Sequence, residues 1–293
     1  MKTIIKKLGL FIFLFALASC QDVIELDVED SAVKIVIDGR ITNSSPNYVE
    51  ISTTAGYFDQ GATNRVNNAA VVLYEDGDTV AILSPDSIPG LYSTPYQGIE
   101  GKEYEISVEV FPGNIAFEAS VWKSKPELLK RVFAIDSMNI RKLNRNTTPQ
   151  AFEEGYFALM YFQEVPGIGD IYRIRRWLND TLFTQEIFTF DDEFFDGEYV
   201  GGTGLFAIPA FNIYGPFDED RNDLLKVEAS SISDDFSSFL DIVDQQVFQV
   251  GGPFDSPPQS IIGNIYNLED PNEYGLGYFF AGAISVEEIT FTK

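Results

Sequence analysis

The sequence contains no histidine and a single cysteine, Cys20, in 293 residues. Without histidine, Ser-His-Asp and Cys-His catalysis and the usual zinc sites are excluded. With one cysteine, the folded part of the chain can form neither a disulfide nor a thiolate metal site. Only carboxylate, lysine, tyrosine or serine chemistry remains for catalysis, so we expect a protein that is not an enzyme.

Basic residues are also scarce. The chain has 20 lysines and arginines against 45 aspartates and glutamates, which gives a formal net charge of −25. Such a surface repels nucleic acid and anionic lipid headgroups, so nucleic-acid binding is excluded. The charge suits a solvated external surface, divalent cations or a cationic partner, and its common role is simply solubility.

The N-terminus has the pattern of a secretory signal. Three lysines lie within the first seven residues, and Leu8 to Leu17 form an apolar run too short to span a bilayer. Leu17-Ala18-Ser19-Cys20 then resembles the lipobox cleaved by lipoprotein signal peptidase. We expect residues 1–19 to be removed and Cys20 to carry the lipid chains. An ordinary signal peptide with a chance cysteine is the alternative.

Residues 20–32 are predicted to form an acidic tether. Gln21 follows the cysteine where an aspartate would favour inner-membrane retention, so we expect the outer membrane. The acidic residues that follow resemble, loosely, export tags that send Bacteroidetes lipoproteins to the cell surface. A solvated tether without a sorting role is the equally weighted alternative.

Residues 33–125 are predicted to form a β-sandwich domain. Tyr104–Val110 alternates apolar and polar residues, which indicates a strand with one buried face. Asp76-Gly77 supplies the positive φ angles of a tight hairpin. About seven short strands in about ninety residues have the spacing of a small sandwich. A boundary is predicted at 123–126.

Residues 126–293 are predicted to form a second β-rich domain with one amphipathic helix near 234–250. Phe236, Phe239 and Leu240 recur at helical spacing, and Ser233 can cap the helix. The segment 188–204 is predicted to be a long irregular loop. A change in apolar parity along the last strand predicts a β-bulge near Glu287-Glu288.

Two acidic segments are candidate cation or partner sites. Asp191, Asp192 and Asp196 are interleaved with phenylalanines, which suits a cation, a sugar or a protein partner, unless the aromatic rings lie in the core. Asp218, Asp220 and Asn222 begin like a calcium loop, but Asp223 replaces its glycine and Ala229 its final acid. An EF-hand is therefore excluded, whereas a looser Ca²⁺ site and a solvated acidic turn both stay open.

Several short sequences resemble the three-residue signal for O-glycosylation of exported Bacteroidetes proteins. We predict modification at exposed members of this set, whose acceptors are Ser31, Thr79, Ser87, Ser137 and Thr181.

The order of landmarks resembles a family of uncharacterised Bacteroidetes lipoproteins, a domain of unknown function encoded beside TonB-dependent transporters. The resemblance is carried by Cys20, by Ile35–Thr42 and Gly101–Tyr104, and near the end by Gly263–Asn267 and Gly275–Phe279. The first domain also resembles immunoglobulin-like and transthyretin-like sandwiches. The resemblance implies a location and a neighbour, and it supplies no catalytic residues.

We therefore expect an outer-membrane, surface-exposed lipoprotein that acts as an accessory or ligand-capturing partner of a TonB-dependent transporter. The alternatives are a surface hydrolase that works through paired carboxylates, as glycosidases do, and a structural or adhesive envelope protein. The sequence names neither the ligand nor a metal.

Overall fold

The structure is a computed structural model that describes residues 33–56, 64–113, 119–143, 155–182, 187–201, 223–248, 259–270 and 272–291. Within these ranges the chain forms eighteen strands and one helix. The first nine strands are β1 (Ile35–Ile41), β2 (Asn47–Thr53), β3 (Ala69–Glu75), β4 (Asp78–Pro85), β5 (Leu91–Thr94), β6 (Glu103–Val110), β7 (Ser120–Ser124), β8 (Glu127–Leu128) and β9 (Ile135–Leu143). They are followed by β10 (Gly155–Gln163), β11 (Ile171–Leu178), β12 (Thr181–Leu182), β13 (Phe188–Asp191), β14 (Tyr199–Gly201), β15 (Asp223–Ile232), α1 (Asp234–Phe248), β16 (Ile265–Asn267), β17 (Phe279–Ala281) and β18 (Ile284–Phe291). The mainly β fold with several sheets and one helix, predicted from the sequence, is confirmed.

The strands of the first region follow the predicted alternation. In β6, Tyr104, Ile106 and Val108 are buried, while Glu109 faces solvent. The hairpin between β3 and β4 turns at Asp76-Gly77, with φ angles of 50° and 87°. Because these positive angles suit Asp-Gly and match the twist of the flanking strands, the short sequence is sufficient to fix this turn.

A ten-stranded sheet of described residues has the strand order β16-β7-β6-β3-β4-β5-β2-β1-β17, with β8 beside β6. The sheet curls, so that residues of β1 and β2 share one buried core with residues of β3 and β6. This core contains Ile37, Ile51, Leu73 and Val108, each at most 2% exposed. One curled sheet around one core is compatible with the sandwich predicted for this region, and the sandwich itself stays a prediction.

The curled sheet also takes strands from the C-terminal part of the chain. β16 pairs with β7, and β17 pairs in parallel with β1 through Gly39 and Phe279. The strand pairing therefore crosses the boundary predicted at 123–126. The division into two domains stays a prediction, and unfolding experiments can test it.

The second region consists of a three-stranded sheet, β14-β10-β9, and a five-stranded sheet containing β12-β11-β15-β18 with β13 beside β11. Apolar residues from both sheets form a second core, including Met160 and Phe162 of β10, Tyr172 of β11 and Val227 of β15. The rings of Phe133 and Phe162 stack at 3.8 Å between their centroids. This region is rich in β structure, as predicted, whereas the domain bounds 126–293 stay a prediction.

Two local predictions in this region are wrong. The segment 188–204 was expected to be an irregular loop, but its described part contains β13, paired with β11, and β14, paired with β10. The predicted bulge at Glu287-Glu288 is absent, because β18 pairs with β15 in continuous register from Asp223 to Ser230. Only one face of β18 packs on the core, through Ile289 and Phe291, and Val286 on the opposite face is 41% exposed. The change in apolar parity therefore reflects an exposed apolar residue and not a bulge.

The helix α1 begins where the sequence predicts. The amide of Phe236 donates to the Ser233 hydroxyl at 3.2 Å, which is the expected N-cap contact. Phe236 then packs on Tyr278 and Phe280, with ring centroids 4.6 and 4.9 Å away. Residues 249–258, which follow the helix, lie outside the described residues. No helix in the described ranges is long and apolar enough to cross a membrane.

Candidate functional site

Two loops lie side by side at one end of the second region, and we call residues 164–170 and 192–198 the loop pair. The first loop connects β10 to β11, and the second connects β13 to β14. Since β13 pairs with β11 and β14 pairs with β10, both connections join the same ends of these paired strands. The strand topology therefore brings together two segments that are about thirty residues apart in the sequence.

Carboxylates of each loop hold backbone amides of the other. Gly169 N donates to both carboxylate oxygens of Asp192, at 2.9 and 3.1 Å, and Gly167 N donates to Asp196 Oδ1 at 2.6 Å. In the opposite direction, Gly197 N donates to Glu164 Oε2 at 2.5 Å. Charge-assisted hydrogen bonds of this kind are stronger than neutral ones, so the loop pair is fixed rather than loose.

Three acidic residues of the loop pair form a cluster. Glu164, Asp170 and Asp192 place one carboxylate oxygen each within 4.8 Å of one another. Glu164 and Asp192 are fully buried, and Asp170 is half-buried. Burial raises the pKa of Asp170, the Lys130 ammonium opposes this shift, and the neighbouring carboxylates Asp192 and Glu164 raise the pKa further.

Tyr172 and two basic residues complete the surroundings. The Tyr172 hydroxyl donates to Glu164 Oε1 at 2.6 Å, and burial together with this hydrogen bond raises the pKa of Tyr172. Lys130 and Arg131 donate to carbonyl oxygens of the first loop, at Gly169 and Pro166. The positive charges therefore lie outside the loops and partly offset the buried negative charge.

Carboxylate oxygens at this spacing are the ligand type that Ca²⁺ takes. Glu164 and Asp192, however, already use their oxygens to hold Tyr172, Gly197 and Gly169. These hydrogen bonds join the two loops to each other. A bound Ca²⁺ stays a prediction from the sequence.

Apolar side chains project from the tips of both loops. Ile168 is 84% exposed and Phe194 is 85% exposed, although both belong to loops that are tied down on either side. Phe195, the next residue, is only 8% exposed, and its ring lies 5.9 Å from that of Phe190 in the core. The aromatic segment is thus divided, with Phe195 packed inward and Phe194 directed to solvent.

The residues predicted from the sequence as site residues lie in different surroundings in the structure. Asp192 lies in the buried cluster, Asp196 fastens the loops, and Asp191 is exposed, with its Oδ1 accepting the Glu193 amide. Asp218, Asp220 and Asn222 lie outside the described residues, as do Cys20 and Ser31. The other four predicted glycosylation acceptors, Thr79, Ser87, Ser137 and Thr181, are all exposed.

Sequence reasoning missed Glu164 and Asp170. Both flank Pro166-Gly167-Ile168-Gly169, a stretch with two glycines at positive φ, 140° for Gly167 and 105° for Gly169. An acid at each end of a glycine-rich connection between two predicted strands was the available signal. It points to carboxylates that receive the free amides of a tight loop.

The fold and the loop pair define a class of protein: a mainly β protein that presents exposed apolar side chains at the tips of two hydrogen-bonded loops. The profile of a family described as a domain of unknown function, DUF4249, matches residues 21–288. The chain belongs to this family. No curated protein and no solved structure matches it.

Proposed function

We propose that this protein is an outer-membrane lipoprotein, anchored through Cys20 and exposed at the cell surface, that acts as an accessory or ligand-capturing partner of a TonB-dependent transporter. One observation carries the partner-binding part of this proposal: Ile168 and Phe194 are held out in solvent on fixed loops. Burying a side chain of this size at an interface contributes about 1.5–3 kcal/mol. Fixed loops reduce the entropy lost on binding.

The charge of the chain supports the same proposal. With 45 acidic against 20 basic residues, general attraction to anionic surfaces is ruled out as the binding force. Recognition of an uncharged or anionic partner then depends on local contact, and the loop tips supply apolar surface for it. A lipid anchor would restrict the search for a partner to the plane of the membrane and raise the effective concentration.

The hydrolase alternative has one feature in its favour, the close carboxylates with a raised pKa at Asp170. A glycosidase needs two carboxyl groups about 5–10 Å apart with room for substrate between them. Here Glu164 and Asp192 are buried and hold backbone amides, which is a structural use of their charge. We therefore propose a non-catalytic role.

The test is affinity purification of the full-length tagged protein from detergent-solubilised outer membranes of its native host, followed by mass spectrometry. The wild type should recover a TonB-dependent transporter in near-equal amount. The double variant Ile168→Ser/Phe194→Ser should lose most of it. The matched control is Ile82→Ser/Ile99→Ser, which removes two exposed isoleucines (70% and 54%) from the first region.

Each result of this purification supports or contradicts a part of the proposal. Recovery by the wild type and the control variant but not by the loop variant supports the proposal. Equal recovery by all three proteins would remove the loop pair from the interface. If the wild type recovers no transporter, the proposed partnership is wrong. A Cys20→Ser variant should move from the membrane to the soluble fraction if the anchor is as predicted.

A further inference from the structure

A pocket of about 430 Å³ opens in the first region, away from the loop pair. It lies between the start of β1, the strand β7, the segment before β16 and the connection 272–276 that precedes β17. Its volume falls within the range of small-molecule sites, roughly 300–1,000 Å³. The pocket is large enough for a ligand the size of an amino acid or a short peptide.

Backbone hydrogen bonds fix the shape of this pocket. Leu276 N donates to Ile35 O at 2.9 Å, and Gly275 N donates to Ile265 O at 3.1 Å. Glu273 N donates to Asp270 O at 2.8 Å, which closes the turn that carries Glu273 to the pocket. A site that is formed before the ligand arrives avoids the cost of ordering a loop on binding.

The lining contains both apolar and polar residues. Its apolar members are Val33, Ile35, Trp122, Ile261, Ile262 and Leu276. Ile35 and Trp122 are almost fully buried, at 1% and 3% exposure, and belong to the core, whereas Ile262 is 56% exposed. An apolar group in the pocket would remove the exposed aliphatic surface from water, which is favourable.

Two exposed side chains of opposite charge, Lys34 and Glu273, are among the residues that line the pocket. Within the described part of the chain, the exposed Lys34 ammonium forms no ion pair, so this cation is available to a ligand. Glu273 Oε2 accepts a hydrogen bond from Asn267 Nδ2 at 2.6 Å, which orients its carboxylate. A ligand with both a carboxylate and an ammonium group can be paired at both ends.

We propose that this pocket binds a small zwitterion with an apolar side chain, namely an apolar amino acid or a short apolar peptide. Lys34 pairs with the carboxylate of the ligand, Glu273 pairs with its ammonium group, and the aliphatic wall receives the side chain. The assignment deepens the ligand-capturing part of the proposed function. It does not require a transporter, because binding is measured on the purified lipoprotein alone.

Trp122 makes binding directly observable. The chain has two tryptophans, and Trp177 lies on β11, 5.1 Å from the Arg175 guanidinium and outside the pocket. The Trp177→Phe variant of the full-length protein in detergent therefore leaves Trp122 as the single indole reporter. Its emission is titrated with leucine, phenylalanine, Leu-Leu and Phe-Leu, and with N-acetyl-leucine amide as the uncharged control.

We expect a saturable change in emission with at least one of the four zwitterions and a response at least tenfold weaker to N-acetyl-leucine amide. Lys34→Gln and Glu273→Gln, each added to Trp177→Phe, should each weaken binding at least tenfold, which corresponds to about 1.4 kcal/mol. Lys102→Gln and Glu109→Gln are matched controls, because both residues lie outside the pocket lining. They should bind like the parent protein.

A ligand without an ammonium group tests the separate roles assigned to Lys34 and Glu273. An N-acetylated Leu-Leu lacks the ammonium group, so its affinity should not change further in Glu273→Gln, although it should still fall in Lys34→Gln. The absence of a saturable signal with all four zwitterions would overturn the proposal, as would binding that is equal in the pocket variants and their controls. Transporter recovery is a separate measurement, so either proposal can fail without the other.

Discussion

Glu127 is a buried acid whose carboxylate is incompletely paired. Its Oε1 accepts the Tyr278 hydroxyl at 2.5 Å and the Asn264 amide at 3.4 Å, while Oε2 has no hydrogen-bond partner. Burial raises the pKa of Glu127 above its usual 4.5, against the opposing effect of the Tyr278 hydrogen bond. The native state therefore binds this proton more tightly than the unfolded chain does.

This difference sets a direction for the effect of pH on stability. As the pH rises above the unfolded-state pKa, the unfolded chain loses the proton first, and the free energy of unfolding falls by at most about 1.4 kcal/mol per pH unit. Glu127→Gln cannot ionise and keeps an oxygen acceptor. Its stability relative to the wild type should therefore rise between about pH 5 and pH 8.

Urea unfolding at both pH values measures this difference, with the exposed Glu109→Gln as the control for removal of one charge. A constant difference between Glu127→Gln and the wild type across this range would show that Glu127 has the same pKa in both states.

Gly277 is required by space as well as by backbone angle. Its φ is 89°, and a Cβ atom added there would lie 2.2 Å from the Ile37 carbonyl oxygen. Gly101 has a similar φ of 82°, but nothing lies within 4 Å of its added Cβ. A comparison of the two positions therefore separates the free-energy cost of a positive φ from that of the steric clash.

We expect Gly101→Ala to lower the free energy of unfolding by about 1 kcal/mol, the cost of a positive φ for alanine. Gly277→Ala should cost roughly 1–3 kcal/mol more, because the backbone of β1 must shift. Thermal and urea unfolding of the two variants provide the comparison. Equal losses would mean that β1 accommodates the methyl group.

At the scale of elements, we expect the buried carboxylate of Asp192 to stabilise the loop pair more than the exposed carboxylate of Asp191 does. Asp192→Ala leaves Gly169 N without its acceptor, which should cost about 1–3 kcal/mol. Asp191→Ala removes an exposed charge and should change stability by no more than about 0.5 kcal/mol. Asp192→Asn keeps one acceptor oxygen, so its loss should be intermediate.

The same variants test whether the hydrogen bonds between the two loops affect partner binding. If the contacts between the loops hold Ile168 and Phe194 in place, Asp192→Ala should recover less transporter in the purification than Asp191→Ala. Equal recovery, together with a measured loss of stability in Asp192→Ala, would show that the tips bind without being fixed.

The elements that could be predicted are those whose signal is local. The strands β6 and β11 and the helix α1 follow from periodicity and from the Ser233 cap, and the β3–β4 turn follows from Asp76-Gly77. β13 and β14 are short and were taken for loop, because their stability comes from pairing with distant strands. Their pairing is also what brings Glu164 and Asp170 to Asp192, so the cluster had no local signature.

At the scale of the whole molecule, two kinds of contact join the N-terminal and C-terminal parts of the chain. β16 and β17 complete the curled sheet of the first region. In addition, Glu228 of β15 accepts from Arg40 of β1 at 3.3 Å and from Arg175 of β11 at 2.9 Å. Removal of the Glu228 side chain would leave two largely buried arginines without their common partner, which is costly.

These contacts predict that both regions unfold together, although the sequence pattern suggested independent domains at 33–125 and 126–293. The first region receives β16 and β17 from beyond residue 260, so it cannot complete its sheet unless the C-terminal part of the chain is in place. Trp122 lies in the first region and Trp177 in the second. The single-tryptophan variants Trp177→Phe and Trp122→Phe therefore report on each region separately.

Urea unfolding of each variant, followed by tryptophan fluorescence and by far-ultraviolet circular dichroism, tests this cooperativity. In each variant the two transitions should coincide, because coincident probes indicate a single two-state transition. The comparison is made within each variant, so any loss of core packing in Trp122→Phe shifts both of its curves equally. A fluorescence transition displaced from the circular dichroism transition would instead establish two independently folding domains and restore the boundary at 123–126.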